Sequence, residues 1–404
     1  AAPTGKAAMR LSQAISTTDN ENLRVQTLHR LLGVRSDGKN CRFNANNPIA
    51  CDVLIVDEAS MIDLPMMYRM LNALPNHCRL ILVGDPDQLP SVEIGNVLAD
   101  LCTSPAGYSD MLVGLAKEVL NIALPKNSVS HPLNDAICRL KVSHRFSPNN
   151  GIGRIARHII EQNPDLPAEY DQIKVCEPQG LMSDNRSILL LPDYKHYVEL
   201  LRKKEIDPIA LRQAFDRVRL LSPMRDGVLG VEDLNKTIEQ SLEQQGLKSP
   251  HNDFYHGRPI LILRNDYNLQ LYNGDIGICI ESDDLQHPMV AFPTIKDNSD
   301  GDIRLLLTSR LPPHETCFAM TIHKSQGSEF EAITIILPPD LIDGTQQLLS
   351  KELLYTAVTR ARIQVKLFCT QPVWQHCVTN SITRVSGLTD LLTTEHLIQH
   401  QANN

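Results

Sequence analysis

Across residues 1–100, short aliphatic runs alternate with stretches whose apolar positions recur at helical spacing. Val53-Leu54-Ile55-Val56 and Leu80-Ile81-Leu82-Val83 are continuous apolar runs, the signature of strands buried on both faces. Lys6–Ile15 and Pro65–Leu74 carry helix-type patterns beside them. Strand, helix and strand in this rhythm predict a parallel sheet. From 103 to 135 the pattern weakens into apolar pieces among Ser, Pro, Gly and Asn, which reads as a surface excursion and a domain boundary.

The α/β rhythm resumes near Leu140, with a helix over Ile152–Glu161, a strand at Val218–Leu221 and a helix over Val231–Gln245. Between 255 and 312 its character changes. Strand-like pieces (Pro259–Leu263, Ile276–Ile280, Met289–Phe292, Ile303–Leu307) are punctuated by Asn-Asp, Asn-Gly and Asp-Gly turns. That pattern predicts a small antiparallel β-barrel inserted in the second α/β unit. Ala332–Leu337, a helix over Lys351–Arg362 and Gln364–Phe368 then return to the parallel rhythm, and a frayed tail is expected from about Thr393. The expected divisions are 1–135, a second domain in two parts (136–254 and 313–395), the insertion 255–312 and a tail 396–404.

Composition narrows the class. Hydrophobic content of 42% with 21% charged residues is ordinary for a soluble globular chain. No stretch approaches the roughly 18 apolar residues of a membrane span, and residues 1–20 lack the apolar core of a signal peptide. The ten cysteines form no C-x-x-C pair, and Cys51, Cys138, Cys279 and Cys369 follow apolar neighbours, which favours reduced, buried thiols in the cytoplasm. A net charge of −8 offers no global attraction for nucleic acid, so any such contact is a local groove.

Two carboxylates, Asp57 and Glu58, close the first apolar run, where open α/β sheets place their ligands. The pair has the chemistry of a nucleoside-triphosphate site: Asp57 to hold Mg²⁺, Glu58 to polarise the attacking water. After the second run, Gly84-Asp85-Pro86-Asp87-Gln88 brings an amide suited to sensing a γ-phosphate, against the plainer reading of a polar turn. Arg145, in Ser143-His144-Arg145-Phe146, and Arg360, in Tyr355–Arg362, are placed to stabilise charge on a transferred phosphoryl group, although a single arginine is ordinarily a solvated surface residue. Thr321–Phe330 is dense in small polar side chains. Thr321, His323 and Lys324 there suit a phosphodiester chain, and Glu329 suits a ribose hydroxyl. Thr4 and Lys6, Thr27 and His29, and Ser222 and Arg225 form three weaker clusters, of which His29 reads first as structural. Gly-x-x-x-x-Gly-Lys-Ser/Thr is absent, and Gly5-Lys6-Ala7 lacks the hydroxyl and the upstream glycine of a phosphate loop. Asp63, Asp266 and Asp275 form no spaced acid cluster with a lysine, so no nuclease centre is assigned.

Taken in chain order, these blocks resemble the motifs of superfamily 1 DNA helicases. Pro3–Ala8 looks like motif Ia, Thr27–Gly33 like the DNA-contact motif after it, and Asp57–Ser60 like motif II. Gly84–Pro90 looks like motif III, Ser143–Phe146 like IV, Thr321–Phe330 like V and Tyr355–Arg362 like VI. The wording of Asp57–Met67, Asn273–Gly277 and His323–Phe330 is most similar to the RecD family, the α subunits of exodeoxyribonuclease V. The resemblance implies two RecA-like parallel-sheet domains, the first incomplete, with ATP and Mg²⁺ in a cleft and single-stranded DNA across them. It further implies 5′-to-3′ translocation, RecB and RecC as partners, and work in double-strand break repair and recombination. By position Asp57, Glu58 and Gln88 serve the nucleotide, Arg145 and Arg360 act as arginine fingers, and Thr4, His29, Thr321 and His323 face DNA. Relatives carry an N-terminal domain and a phosphate loop ahead of this region. The chain is therefore expected to be a fragment that is inactive alone and bears an apolar edge beside Val53–Val56. A stand-alone RecD-like helicase and a non-enzymatic DNA-binding module are the alternatives.

Overall fold

The computed structural model describes residues 1–16, 25–35, 40–91, 93–103, 107–127, 133–140, 142–147, 150–168, 172–183, 186–203, 207–266, 268–281, 287–294, 303–341, 344–382 and 387–391. The frayed tail expected from Thr393 lies outside them. The chain divides into two compact units. The first holds 1–3, 25–143 and 383–404, and the second holds 4–24 and 144–382.

In the first unit, β1 (Val53–Val56) pairs in parallel with β2 (Arg79–Leu82), Val53 opposite Arg79 and Val56 opposite Leu82. The helix Leu64–Ala73 joins them. Asp63 starts it by accepting from Met66 N at 2.6 Å, and Pro65 occupies its first turn, where a missing N–H costs nothing. Met66, Met67, Met70 and Ala73 lie on its buried face, packed with Leu54, Val56, Leu28 and Leu32. Alternate side chains of a strand point to opposite faces. Leu54 and Val56 therefore enter this core, while Val53 and Ile55 remain 51% and 48% exposed. Ile81 and Val83 are exposed as well. The apolar runs were written for burial on both faces, and one face is open. Beside β1, Ala1 N donates to Ile55 O and Asp57 N donates to Ala1 O. The stretch expected to be an irregular excursion contains a helix, Asp110–Leu120, capped by Ser109. Its pattern was hard to read because Met111, Leu115, Val119 and Leu120 are exposed.

The second unit has a five-stranded parallel sheet. Its strands are β3 (Ile173–Cys176), β4 (Val218–Ser222), β10 (Ala319–Thr321), β11 (Phe330–Ile336) and β12 (Ala361–Phe368), in the order β10-β4-β11-β12-β3. β4 and β11 are central and almost wholly buried. The insertion supplies a separate antiparallel sheet, β8-β7-β6-β5-β9, from β5 (Pro259–Ile262), β6 (Ile276–Ile280), β7 (Met289–Pro293), β8 (Ile303–Leu307) and β9 (His314–Thr316). The expected mixed α/β class, with a parallel sheet and a separate antiparallel one, is what the chain adopts; the antiparallel strands, expected to close into a barrel within 255–312, form an open order with β8 and β9 at its ends, and β9 lies past the expected bound. Tyr194, Tyr197, Phe215 and Phe318 pack together with centroids 5.4 to 6.5 Å apart. The Arg219 guanidinium, on the central strand β4, lies 3.9 Å from the Phe215 centroid and donates to Cys317 O at 3.0 Å.

One element needs correction. The helix read over Lys351–Arg362 ends at Val358, and Thr359-Arg360 form a turn into β12. Pairing decides this: Phe330 N donates to Arg360 O, and Ala361 sits opposite Phe330, so the sheet claims residues that helical periodicity had assigned otherwise. Cysteine placement needs another. Cys279 and Cys369 are buried as expected, but Cys51 is only partly covered and Cys138 is exposed.

Candidate functional site

The acidic pair stands at the C-terminal end of β1, as the pattern predicted. Glu58 adopts φ 54° and ψ 41°, a left-handed conformation uncommon outside glycine. Asp57 Oδ1 accepts from Glu58 N at 2.9 Å and so braces that turn. Ala59 N then donates to Val83 O at 2.9 Å, which ties the acidic turn to the end of β2. Gly84 makes this approach possible. A Cβ there would lie 2.8 Å from Leu98 Cδ2, closer than real Cβ atoms come, and 3.0 Å from Ala59 N, tighter than most of them do. Downstream, Asp85 organises the loop: Oδ1 accepts from Asp87 N at 3.0 Å and Oδ2 from Gln88 Nε2 at 3.1 Å. The amide of Gln88 is thereby oriented by a neighbour whose role the residue pattern alone did not reveal. Thr27 spends its hydroxyl capping the helix Leu28–Leu32, and His29 is exposed on that helix.

The second unit gathers the other candidates. Arg145 donates from Nη1 to Thr359 O at 2.9 Å and from Nη2 to Glu329 Oε1 at 2.5 Å. Arg10 also approaches Glu329, at 3.8 Å. Arg360 is buried. Its Nε donates to Thr356 O at 3.1 Å and its Nη1 to Ser328 O at 3.4 Å. Lys6 Nζ donates to Ser328 Oγ at 2.6 Å. Burial first, then the nearby Arg10 charge, pushes the Lys6 ammonium down to about 8. Lys6 meets the Ser328 hydroxyl, Arg360 the Ser328 carbonyl, and Arg10 and Arg145 the Glu329 carboxylate, so four basic side chains gather about Ser328-Glu329, with Asp216 and Asp275 also acting on Lys6. The left-handed Gly327 (φ 67°) turns the chain into this segment.

A second cluster lies at the C-terminal ends of β4 and β10, where Ser222 and Thr321 are register partners. Ser222 is buried. Its Oγ donates to Leu229 O and accepts from Met224 N, so it frames the loop. Thr321 Oγ1 accepts from Lys324 N, bracing the turn that carries His323 and Lys324. Thr4 Oγ1 similarly accepts from Ala7 N at the start of the helix Gly5–Ser16. Arg225 and Lys324 both reach Glu315 on β9, a residue that sequence reasoning missed. Asp63, Asp266 and Asp275 each accept from nearby backbone N–H groups.

Residues 1–93 match the AAA domain family and residues 316–368 the UvrD-like helicase C-terminal domain family. The chain is 37% identical over 97% of its length to the RecBCD enzyme subunit RecD of Haemophilus influenzae. Nearly the whole chain is thus similar to RecD subunits of RecBCD enzymes. It spans 64% of the length of the Haemophilus influenzae relative. The chain is also 28% identical, over 93% of its length, to the ATP-dependent RecD2 DNA helicase of Deinococcus radiodurans, of which it covers 43%. Among solved structures it is similar to a Bacteroides Pif1 helicase in complex with ADP-AlF3 and single-stranded DNA, at 17% identity and a TM-score of 0.47, covering 100% of this chain and 87% of that one. Among the described residues, no helix is long and apolar enough to cross a membrane.

Proposed function

We propose that this chain is the motor portion of a RecD-type, ATP-dependent 5′-to-3′ DNA helicase. It works in the cytoplasm with RecB and RecC on broken DNA, in repair and recombination. One observation carries the reading: an acidic pair with a strained Glu58, locked against a glycine-dependent loop that orients Gln88. Such strain in a non-glycine residue concentrates at sites that hold a side chain for chemistry. The oxygen-only pair suits a hard divalent cation, so Asp57 is the residue to hold Mg²⁺. When bound, Mg²⁺ would offset charge on the nucleotide phosphates. Glu58 orients and deprotonates water, Gln88 senses the terminal phosphate, and Arg145 and Arg360 oppose the charge that develops there. Arg145 is delivered by the Glu329 carboxylate and the Thr359 carbonyl, which fix its guanidinium plane. Thr4, Lys6, Thr27, His29, Ser222, Arg225, Thr321, His323 and Lys324 belong to the strand-binding surface, some as frame and some as contact. The RecB- and RecC-dependent form is preferred to a stand-alone helicase because identity is higher, and shared over more of the relative's length, for the RecBCD subunit than for RecD2.

The test is steady-state ATPase with single-stranded DNA, on this chain and on a version extended to the length of its relatives. Background turnover is expected of the 404-residue chain and DNA-stimulated turnover of the extended one. In the latter, Arg360→Ala should lower the rate roughly 10³-fold or more, as loss of an arginine finger does. Glu58→Gln should keep nucleotide binding and abolish turnover. Near-normal turnover by Glu58→Gln would sink the assignment.

A further inference from the structure

Arg225 and Lys324 arise from the loops after β4 and β10, and neither cation stands alone. Lys324 Nζ lies 2.6 Å from Glu315 Oε1, and Arg225 Nη2 lies 3.1 Å from Glu315 Oε2. Arg225 Nε also donates to Glu232 at 3.1 Å and lies 4.0 Å from Asp226. Two cations are therefore matched by three carboxylates, and the cluster is net negative. A phosphodiester strand approaching these basic residues meets their counter-anions first.

Glu315 differs from the other two acids in placement. Its side chain is 19% exposed, against 60% for Glu232 and 79% for Asp226. It is held in β9, opposite Leu261 of β5, so the backbone cannot carry it away from the cations. Partly buried pairs are also screened less by salt than exposed ones. Of the three acids it alone touches both cations.

We propose that Glu315 is a built-in counter-anion: it occupies Arg225 and Lys324 until a phosphate exchanges with it, and so sets how tightly and how salt-dependently the strand is held. The inference rests on Arg225 and Lys324 being strand contacts. A translocating protein must release each phosphate as readily as it takes the next. Exchanging one anion for another keeps both cations paired throughout and lowers the barrier to release. Bare cations would hold the strand more firmly and let go more slowly.

Fluorescence anisotropy of a labelled oligothymidine, titrated with the full 404-residue chain across a salt series, tests this. Glu315→Gln keeps the shape and removes the charge. Binding should tighten about fivefold at low salt, the scale of one partly exposed ion pair. The slope of log K against log salt should steepen by about 0.7, since Lys324 is freed while Arg225 keeps Glu232 and Asp226, and each freed cation adds roughly 0.7 on a single strand. Glu315→Asp, which withdraws the carboxylate without losing its charge, should fall between, and circular dichroism checks that both variants fold. Lys324→Ala should weaken binding, and in its background the gain from Glu315→Gln should shrink. If Lys324→Ala weakens binding while Glu315→Gln binds equally or more weakly, the counter-anion role is wrong and the strand surface stands. If neither Lys324→Ala nor Arg225→Ala changes affinity or slope, the strand surface itself is wrong and the inference falls with it.

Discussion

β1 and β4 are similar in sequence type and opposite in circumstance. Val53-Leu54-Ile55-Val56 pairs with one strand, β2, and leaves Val53 and Ile55 half exposed. Val218–Ser222 lies between β10 and β11, and Leu220 and Leu221 are fully buried. An apolar run thus specifies a strand in both units, but only neighbours decide how much water that strand loses. The candidate groups follow the same division. In the first unit, Asp57 and Gln88 are held by hydrogen bonds to near neighbours in sequence. In the second, Arg145 is anchored by Glu329 and Thr359, 184 and 214 residues away, and Arg360 by Ser328, 32 residues away, and by Thr356 one helical turn before it.

The widest gap should appear in core truncation. Leu220→Ala removes a side chain with no exposure and should destabilise the second unit by about 2–5 kcal/mol. Ile55→Ala in β1 should change stability by only about 0.5 kcal/mol, as for an exposed site. Urea unfolding of the two variants gives the comparison, and equal losses would mean that the open face of β1 is covered in solution.

How far this was legible in the sequence follows the same logic. β1, β2, β4 and the strands β5 to β8 could be read because period and turn residues are local signals, whereas the three-residue β9 carries no such signal. The end of the helix at Val358 could not, because it is imposed by pairing of Ala361 with Phe330. The helix Asp110–Leu120 escaped notice because its apolar residues are not arranged around a buried face. Among site residues, Asp57, Glu58 and Gln88 were visible as motifs at strand ends. Glu315 was invisible: it becomes relevant only through the position of β9 beside β5 and the reach of two loops. Arg145 and Glu329 carry no mutual signal across 184 residues of separation.

A smaller effect is expected where the two motif loops of the first unit meet. Gly84→Ala places a Cβ against Leu98 and the backbone of Ala59, so something must shift. Overpacking of this kind costs about 1–3 kcal/mol. Differential scanning calorimetry should show a lower Tm. An unchanged Tm would show that the loop is looser than the second unit's network by more than the contacts indicate.

A pH dependence is also expected in the second unit. Lys6 titrates near 8 in the folded chain, below its ordinary 10.5. Between those values the unfolded chain binds a proton that the folded chain has released, so this group's contribution to stability rises with pH across that window. Below it, the enclosed ammonium opposes folding in full. Lys6→Met should flatten that rise, read as urea midpoints on either side of the window. A steeper rise in the variant would place the titration elsewhere.

Between β9 and β10 the chain has only Cys317 and Phe318 in which to leave one sheet and enter the other. Asn235, buried on the helix Val231–Gln244, fastens both sides of that passage: Nδ2 donates to Thr316 O at 3.0 Å and Ala319 O at 3.1 Å, and Oδ1 accepts from Ala319 N at 2.8 Å. So short a span, riveted at both ends, has little compliance. The positions of β9 and of the Thr321–Lys324 loop are therefore coupled through this passage. The insertion then behaves as an outrigger, stiffening the loops as force passes through the second unit.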